Sequence, residues 1–143
     1  PKQAEEQIPW FEVHDPTKYP IYVYEDQGQI LGWCSISPYR QGREAVKETG
    51  EISYYVEYSH HGQGIGSALV AHALEDCGRI GKRVLFAIII EGNVRSIQLL
   101  QKYGFEQWGY LPNVLNIDGI LKGHVYLGKE INTSILNEII HKP

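Results

Sequence analysis

The chain has 143 residues, 43% hydrophobic and 21% charged, with 15 glycines and 7 prolines, a profile that builds one globular domain and leaves no length for a second. Thirteen Lys and Arg against seventeen Asp and Glu give a net charge of -4, which disfavours general nucleic-acid binding. The longest apolar runs stop at about seven residues, far short of the roughly 20 that a membrane-spanning helix needs.

Residues 2–12 mix helix formers with an interrupting Pro9, which predicts a helix end and its exit loop. Residues 21–24 and 30–37 read as two strands joined by a polar turn carrying Asp26 and Gly28, an antiparallel hairpin. Residues 40–50 hold many charges and no bulky apolar stretch, and read as an exposed loop. A strand over 51–58, rich in β-branched and aromatic residues, runs into the glycine-dense HHGQGIG. A helix over 67–79 then buries Leu69, Val70, Ala73, Leu74 and Cys77 at helical spacing. The unbroken apolar run of residues 84–90 predicts a central strand covered on both faces. The next helix starts at Asn93 or Ser96, buries Ile97, Leu99, Leu100 and Tyr103, and stops at Gly104. Two further strands, 105–111 and 122–131, flank a polar connection over 112–119, and 132–140 reads as a short terminal helix. Cys34 and Cys77 lie far apart in apolar, periodic surroundings, the setting of reduced core thiols in a cytoplasmic protein.

The sharpest feature is Gly62-Gln63-Gly64-Ile65-Gly66-Ser67 between a strand and a helix. Alternating glycines let backbone amides approach a ligand, and such a loop at a helix N-terminus binds anions. A nucleotide P-loop would need Gly-Lys-Ser where Ile65-Gly66-Ser67 stands. A Rossmann-like nucleotide-binding domain asks for GxGxxG or GxGxxA, which is met at Gly62 and Gly64 but not at Ser67; Glu91 does end the next strand, while the preceding hairpin argues against that fold.

The chain resembles the GCN5-related N-acetyltransferases (GNAT), and within them the phosphinothricin N-acetyltransferase-like group. Two motifs carry the resemblance: EISYYVEYSHHGQGIGSALVAHAL, matching a strand followed by (Q/R)xxGxG with His61 in the Gln/Arg position, and EGNVRSIQLLQKYGF, an asparagine and a helix closing in GF. It implies an α+β fold with a mixed, mostly antiparallel sheet flanked by helices and two splayed central strands. It also implies an acetyl-CoA cosubstrate, no metal, and a homodimer. Residues 1–143 are then a single N-acetyltransferase domain. The family's first strand and helix fall ahead of Pro1, in keeping with the absence of methionine. In such a site the backbone of Tyr54, Tyr55 and Val56 pairs with the pantetheine arm. The pyrophosphate sits on the amides of Gly62, Gln63, Gly64, Ile65, Gly66 and Ser67, and Asn93 contacts the cofactor.

Acetyl transfer needs a neutral amine, and an α-amino group titrating near ~8 is partly protonated at physiological pH, so a general base is useful. Glu51 falls where the related enzymes carry their glutamate base; Glu57 is the competing carboxylate. The amine attacks the thioester directly, so Cys34 and Cys77 need no catalytic role. The family's frequent tyrosine acid is replaced by Leu100, and a thiolate of pKa near ~8.5 leaves without a dedicated acid. Arg40 or Arg43 in the charged loop would clamp an acceptor carboxylate, Tyr24, Trp33 and Tyr39 would line a pocket, and His124 is a candidate substrate contact. The six histidines show no metal-ligand spacing. The resulting expectation is acetyl transfer to the primary amine of a small amino-acid-like compound of the phosphinothricin or methionine sulfoximine type. A non-catalytic acyl-CoA sensor is the rival from another class.

Overall fold

Strong local signals set each element in this computed structural model, which describes residues 16–131. The chain runs β1 (Ile21–Asp26), β2 (Gln29–Pro38), β3 (Thr49–Val56), α1 (Ile65–Ile80), β4 (Val84–Ile90), α2 (Val94–Lys102), β5 (Glu106–Ile117) and β6 (Ile120–Glu130). The strands form one sheet in the order β1-β2-β3-β4-β6-β5. Every neighbouring pair is antiparallel except β3 with β4. A doubly wound nucleotide-binding fold requires a mostly parallel sheet, so this order overturns the Rossmann-like alternative.

The first hairpin turns on Gln27 and Gly28, both at positive φ (52° and 79°). That is a two-residue turn whose twist matches the strands, and it leaves Asp26 inside β1. The charged loop contains a single 3-10 turn, Glu44–Val46, and its last two residues, Thr49 and Gly50, already belong to β3. The predicted polar connection over 112–119 is not a loop. β5 continues to Ile117 and only Asp118-Gly119 turn, at φ 51° and 88°. The alternation is hidden there because Pro112 lacks an amide and Asn113 adopts φ 55°, with the register shifting between Leu111 and Leu115; an edge strand tolerates both. The predicted helical segments at 2–12 and 132–140 lie outside the described residues.

Both helices pack on one face of the sheet. Leu69, Val70, Ala73 and Cys77 of α1 and Leu100 of α2 meet Cys34, Ile36, Ile52, Leu85, Ala87 and Leu127 in a single buried cluster. Cys34 and Cys77 are buried and free. Gly81, at φ 73°, ends α1 in the left-handed conformation and returns Lys82 N–H to Cys77 O. Asn93 Oδ1 accepts the Ser96 amide at 3.2 Å and caps α2. No described helix is long and apolar enough to cross a membrane.

Two glycines bring the first turn of α1 onto the sheet. A Cβ on Gly32 would lie 2.8 Å from Tyr55 O and 3.2 Å from Ile65, and one on Gly66 would lie 3.1 Å from Leu99 and 3.6 Å from Val56. Because the nearest obstacle to a methyl at Gly32 is backbone, Gly32→Ala is expected to lower unfolding stability by about 1–3 kcal/mol, read as a reduced urea midpoint at unchanged m-value.

Candidate active site

β3 and β4 pair over only three positions, Thr49 with Val84, Gly50 with Leu85 and Glu51 with Phe86. Beyond Glu51 the two strands part, yet each stays bonded on its outer side. β3 pairs with β2 as far as Val56, and β4 with β6 as far as Ile90. Backbone parity decides what faces the gap. Glu57 N donates to Leu31 O, while Glu48 O accepts from Arg83 and Val84 on the β4 side. Alternation therefore spends the Ile52 amide on the last bridge to Phe86, turns the Ile52 carbonyl and the amides and carbonyls of Tyr54 and Val56 into the gap, and turns those of Ser53 and Tyr55 toward β2. Of the three residues expected along a cofactor arm, Tyr54 and Val56 face the gap through their backbone. Tyr55 does not, and its ring stacks on Trp33 at 6.3 Å.

At the wide end of the gap lies the glycine loop. Gly62 and Gly64 take φ 84° and 79°, and a Cβ at either would meet nothing within 4 Å. Gly64 is the N-cap of α1 and offers no side-chain acceptor. The first backbone bond of the helix is Ala68 N–H to Gly64 O, so the amides of Ile65, Gly66 and Ser67 lack intrahelical partners. Open space, unengaged amides and the positive end of a 16-residue helix make a cradle suited to an anion. An extended ligand with an amide-bearing arm and a phosphate group fits this gap and cradle together.

The loop histidines are tied down locally. His61 Nε2–H donates to Val56 O at 2.9 Å, and His60 sits between Gln63 Oε1 at 3.2 Å and the Glu57 carboxylate at 3.8 Å. Glu57 is thus engaged on the loop, away from the point where the strands part. Asn93 uses its carbonyl oxygen as the α2 cap. Ser67 Oγ hydrogen-bonds Tyr103 OH and accepts Lys102 Nζ at 3.4 Å, contacts that no sequence spacing announced.

The narrow end of the gap holds Glu51. Strand alternation puts Ile52, Leu85, Ala87, Val125 and Leu127 under the helices, so Glu51, Phe86, His124 and Tyr126 stand on the opposite face. Glu51 is half-buried; burial pushes its pKa above the usual carboxylate value, with the charge of His124 partly opposing. Tyr39 meets Phe86 edge-on at 5.1 Å, and Phe86 stacks on Tyr126 at 6.2 Å. The Arg40 guanidinium stands 5.8 Å from the Tyr39 ring. The sequence named Glu51, Tyr39, Arg40 and His124; it did not single out Phe86, because the apolar β4 run gives no hint of which face each residue takes, or Tyr126, which reaches Phe86 only through the pairing of β6 with β4. Tyr24 lies exposed on β1. Leu100 is fully buried.

Glu91, which a dinucleotide site would direct to a ribose, accepts Gly123 N–H at 2.8 Å and Tyr110 OH at 3.0 Å. Its own amide donates to Gly123 O, so it clamps β6 one residue before His124. A depression of about 500 Å³ between β1 and α1 is lined by Tyr19, Tyr22, His72, Asp76 and Arg79. Three of its polar groups satisfy one another: Asp76 accepts Tyr22 OH at 2.6 Å and two Arg79 nitrogens at 2.7 Å. Among the described residues no group of three or more His, Cys, Asp or Glu is placed to hold a metal ion.

A mixed sheet parted beside an uncapped helix N-terminus, with a half-buried carboxylate where the parting begins, is the architecture of an acyl-CoA-dependent transferase. The family model for the acetyltransferase (GNAT) family matches residues 1–105. YwnH of Bacillus subtilis is 35% identical over 133 residues, covering 92% of this chain and 80% of that protein. The L-methionine sulfoximine/L-methionine sulfone acetyltransferase of Salmonella typhimurium is 31% identical over 111 residues; the match covers 78% of this chain and 64% of that enzyme. A solved GNAT superfamily phosphinothricin acetyltransferase from Sinorhizobium meliloti, in complex with acetyl-CoA, superposes with a TM-score of 0.83 at 25% identity, over 93% of this chain and 72% of that one. The chain belongs to the GNAT family and is an acetyl-CoA-dependent N-acetyltransferase.

The raised pKa of Glu51 has a sign that stability can read. A carboxyl held above its unfolded value loses stability as pH rises from about 4.5 through the folded value. Glu51→Gln removes that penalty, so the variant is expected to melt higher than the parent at pH 7. The difference closes near pH 4, as followed by thermal melts at the two pH values.

Proposed function

We propose that this acetyltransferase acts on the primary amine of a small amino-acid-like acceptor of the phosphinothricin or methionine sulfoximine type, with Glu51 as general base. Bound acetyl-CoA supplies an activated thioester carbonyl for direct attack. The amides of Tyr54 and Val56 hold its amide-bearing arm across the gap and polarise that carbonyl. The amides of Gly62 to Ser67 take the pyrophosphate, and the side-chain amide nitrogen of Asn93, left free by its capping role, contacts the cosubstrate. Glu51 takes the amine proton; its raised pKa brings it nearer the working pH, which favours proton transfer. Arg40 clamps the acceptor carboxylate, and the aromatic row of Tyr39, Phe86 and Tyr126 receives the acceptor's side chain, with His124 as a polar contact. The names of the Salmonella and Sinorhizobium relatives support this acceptor class.

No nucleophilic cysteine is needed, and burial pushes both thiols up to about 12, which suits direct attack. No acid comes from the Leu100 position, and none is required to release a thiolate of pKa near ~8.5. The carrying observation is Glu51, half-buried and accepting no hydrogen bond from a described residue, at the position where β3 and β4 part. The test is CoA release, followed with a thiol reagent, over a panel of amino acids including phosphinothricin and methionine sulfoximine. Glu51→Gln is expected to lower kcat by about 10²-fold or more while the calorimetric affinity for acetyl-CoA stays unchanged. In the parent, kcat/KM falls as pH drops through the raised Glu51 pKa. Unchanged turnover in the variant removes Glu51 from the mechanism. Binding without release for every amine supports the sensor reading.

The homodimer belongs to the same proposal. The β5–β6 hairpin exposes Trp108, Tyr110, Leu111, Val114, Ile120 and Leu121, and β5 is a 12-residue edge strand. An apolar patch beside an edge with no partner strand among the described residues invites a second copy of the same strand. Two free, buried thiols are in keeping with a reducing, cytoplasmic setting. Light scattering is expected to give twice the monomer mass, and Leu121→Glu to halve it; a monomeric parent protein sinks the dimer.

A further inference from the structure

The last turn of α2 reaches over the first turn of α1. Leu99 packs where a Cβ on Gly66 would lie, at 3.1 Å. One turn along, Tyr103 OH and Ser67 Oγ share a hydrogen bond, and Lys102 Nζ donates to the same Ser67 oxygen at 3.4 Å. The Lys102 ammonium stands 5.5 Å from the Tyr103 ring centroid. A lysine in the last turn of α2 suits the dipole of its own helix, which explains its place in the sequence. It does not explain why the ammonium turns to the N-terminal end of another helix, where the dipole is also positive.

An anion between the two would resolve that opposition, and the histidines beside the cradle are otherwise engaged. His60 is held by Gln63 and Glu57, and His61 by Val56 O. Lys102 makes no ion pair with a carboxylate among the described residues. It therefore brings an uncommitted charge to the third residue of α1, in a chain of net charge -4.

Resting on the acetyl-CoA reading of the cradle, we propose that Lys102 is a specificity residue for the diphosphate of the acyl donor, aimed by Tyr103 through Ser67. The backbone amides supply shape and partial charge; Lys102 supplies the full charge that separates a CoA thioester from a phosphate-free pantetheine thioester. Tyr103 is a positioning residue, since it acts through Ser67 and the lysine stem.

Calorimetry with CoA and 3′-dephospho-CoA, beside kcat/KM for acetylpantetheine, tests this on the full chain. Lys102→Gln is expected to weaken CoA and dephospho-CoA by the same factor, about tenfold at low salt. The salt dependence of binding becomes shallower, while kcat/KM for acetylpantetheine stays unchanged. Lys102→Arg restores most of the affinity, and Tyr103→Phe costs a smaller factor, again for the diphosphate ligands only. Equal losses for acetylpantetheine assign Lys102 to packing and overturn the proposal. So does an unchanged CoA affinity, or a loss for CoA that dephospho-CoA does not share. A parent protein that binds no CoA overturns the cradle reading itself, which is a separate outcome.

Discussion

Everything functional in this chain follows from two neighbouring strands that begin as a parallel pair and then separate. Three bridges hold β3 to β4, and after Glu51 and Phe86 each strand follows its outer neighbour. The cost is a row of backbone groups from the Ile52 carbonyl through Tyr54 to Val56 without partners in the sheet. Such groups demand hydrogen bonds from solvent or ligand. In the reading proposed above, an extended, amide-containing molecule lying in the gap continues the ladder as a further strand would.

The helices keep the wedge from closing. α1 rests on β2 and β3 through Gly32 and Gly66, whose missing side chains set how closely the helix start approaches the strand end. α2 leaves β4 through the Asn93 cap and buries Leu100 in the same core. The two helices touch above the gap, Leu99 against Gly66 and Tyr103 against Ser67. The positive end of α1 is thereby fixed at the mouth of the gap, at the far end from Glu51. Packing on one face of the sheet thus aligns polar chemistry on the other.

Much of this was legible in the chain. The seven-residue apolar run is β4 to the residue, and Asn93, one of the two starts the sequence offered, caps α2. Of the alternating glycines, Gly62 and Gly64 precede α1, while Gly66 lies in the first turn of that helix, which starts two residues earlier than expected. What was hidden depends on pairing across long sequence distances. Tyr54 and Tyr55 are alike in composition, and only the register with β2 and β4 shows which backbone faces the gap. Pro112 and Asn113 interrupt the strand pattern of β5, whose continuation is dictated by β6. The Ser67, Lys102 and Tyr103 contacts join residues about 35 positions apart, beyond any local signal.

The carboxylates make the clearest contrast between structural and chemical use of one side chain. Asp76 is held below its usual pKa by Arg79 and Tyr22, and Glu91 by the Gly123 amide and Tyr110. Both are anchors: their oxygens accept hydrogen bonds that tie β1 to α1 and the residue after β4 to β5 and β6. Glu51 is shifted the opposite way, by burial with no hydrogen-bond donor among the described residues. A carboxylate deprived of water and given no hydrogen bond in exchange is poorly stabilised as an anion, and so gains most from taking a proton. The fold maintains that unfavourable group where the strands part, and the same burial that weakens the folded state raises its readiness to take up a proton.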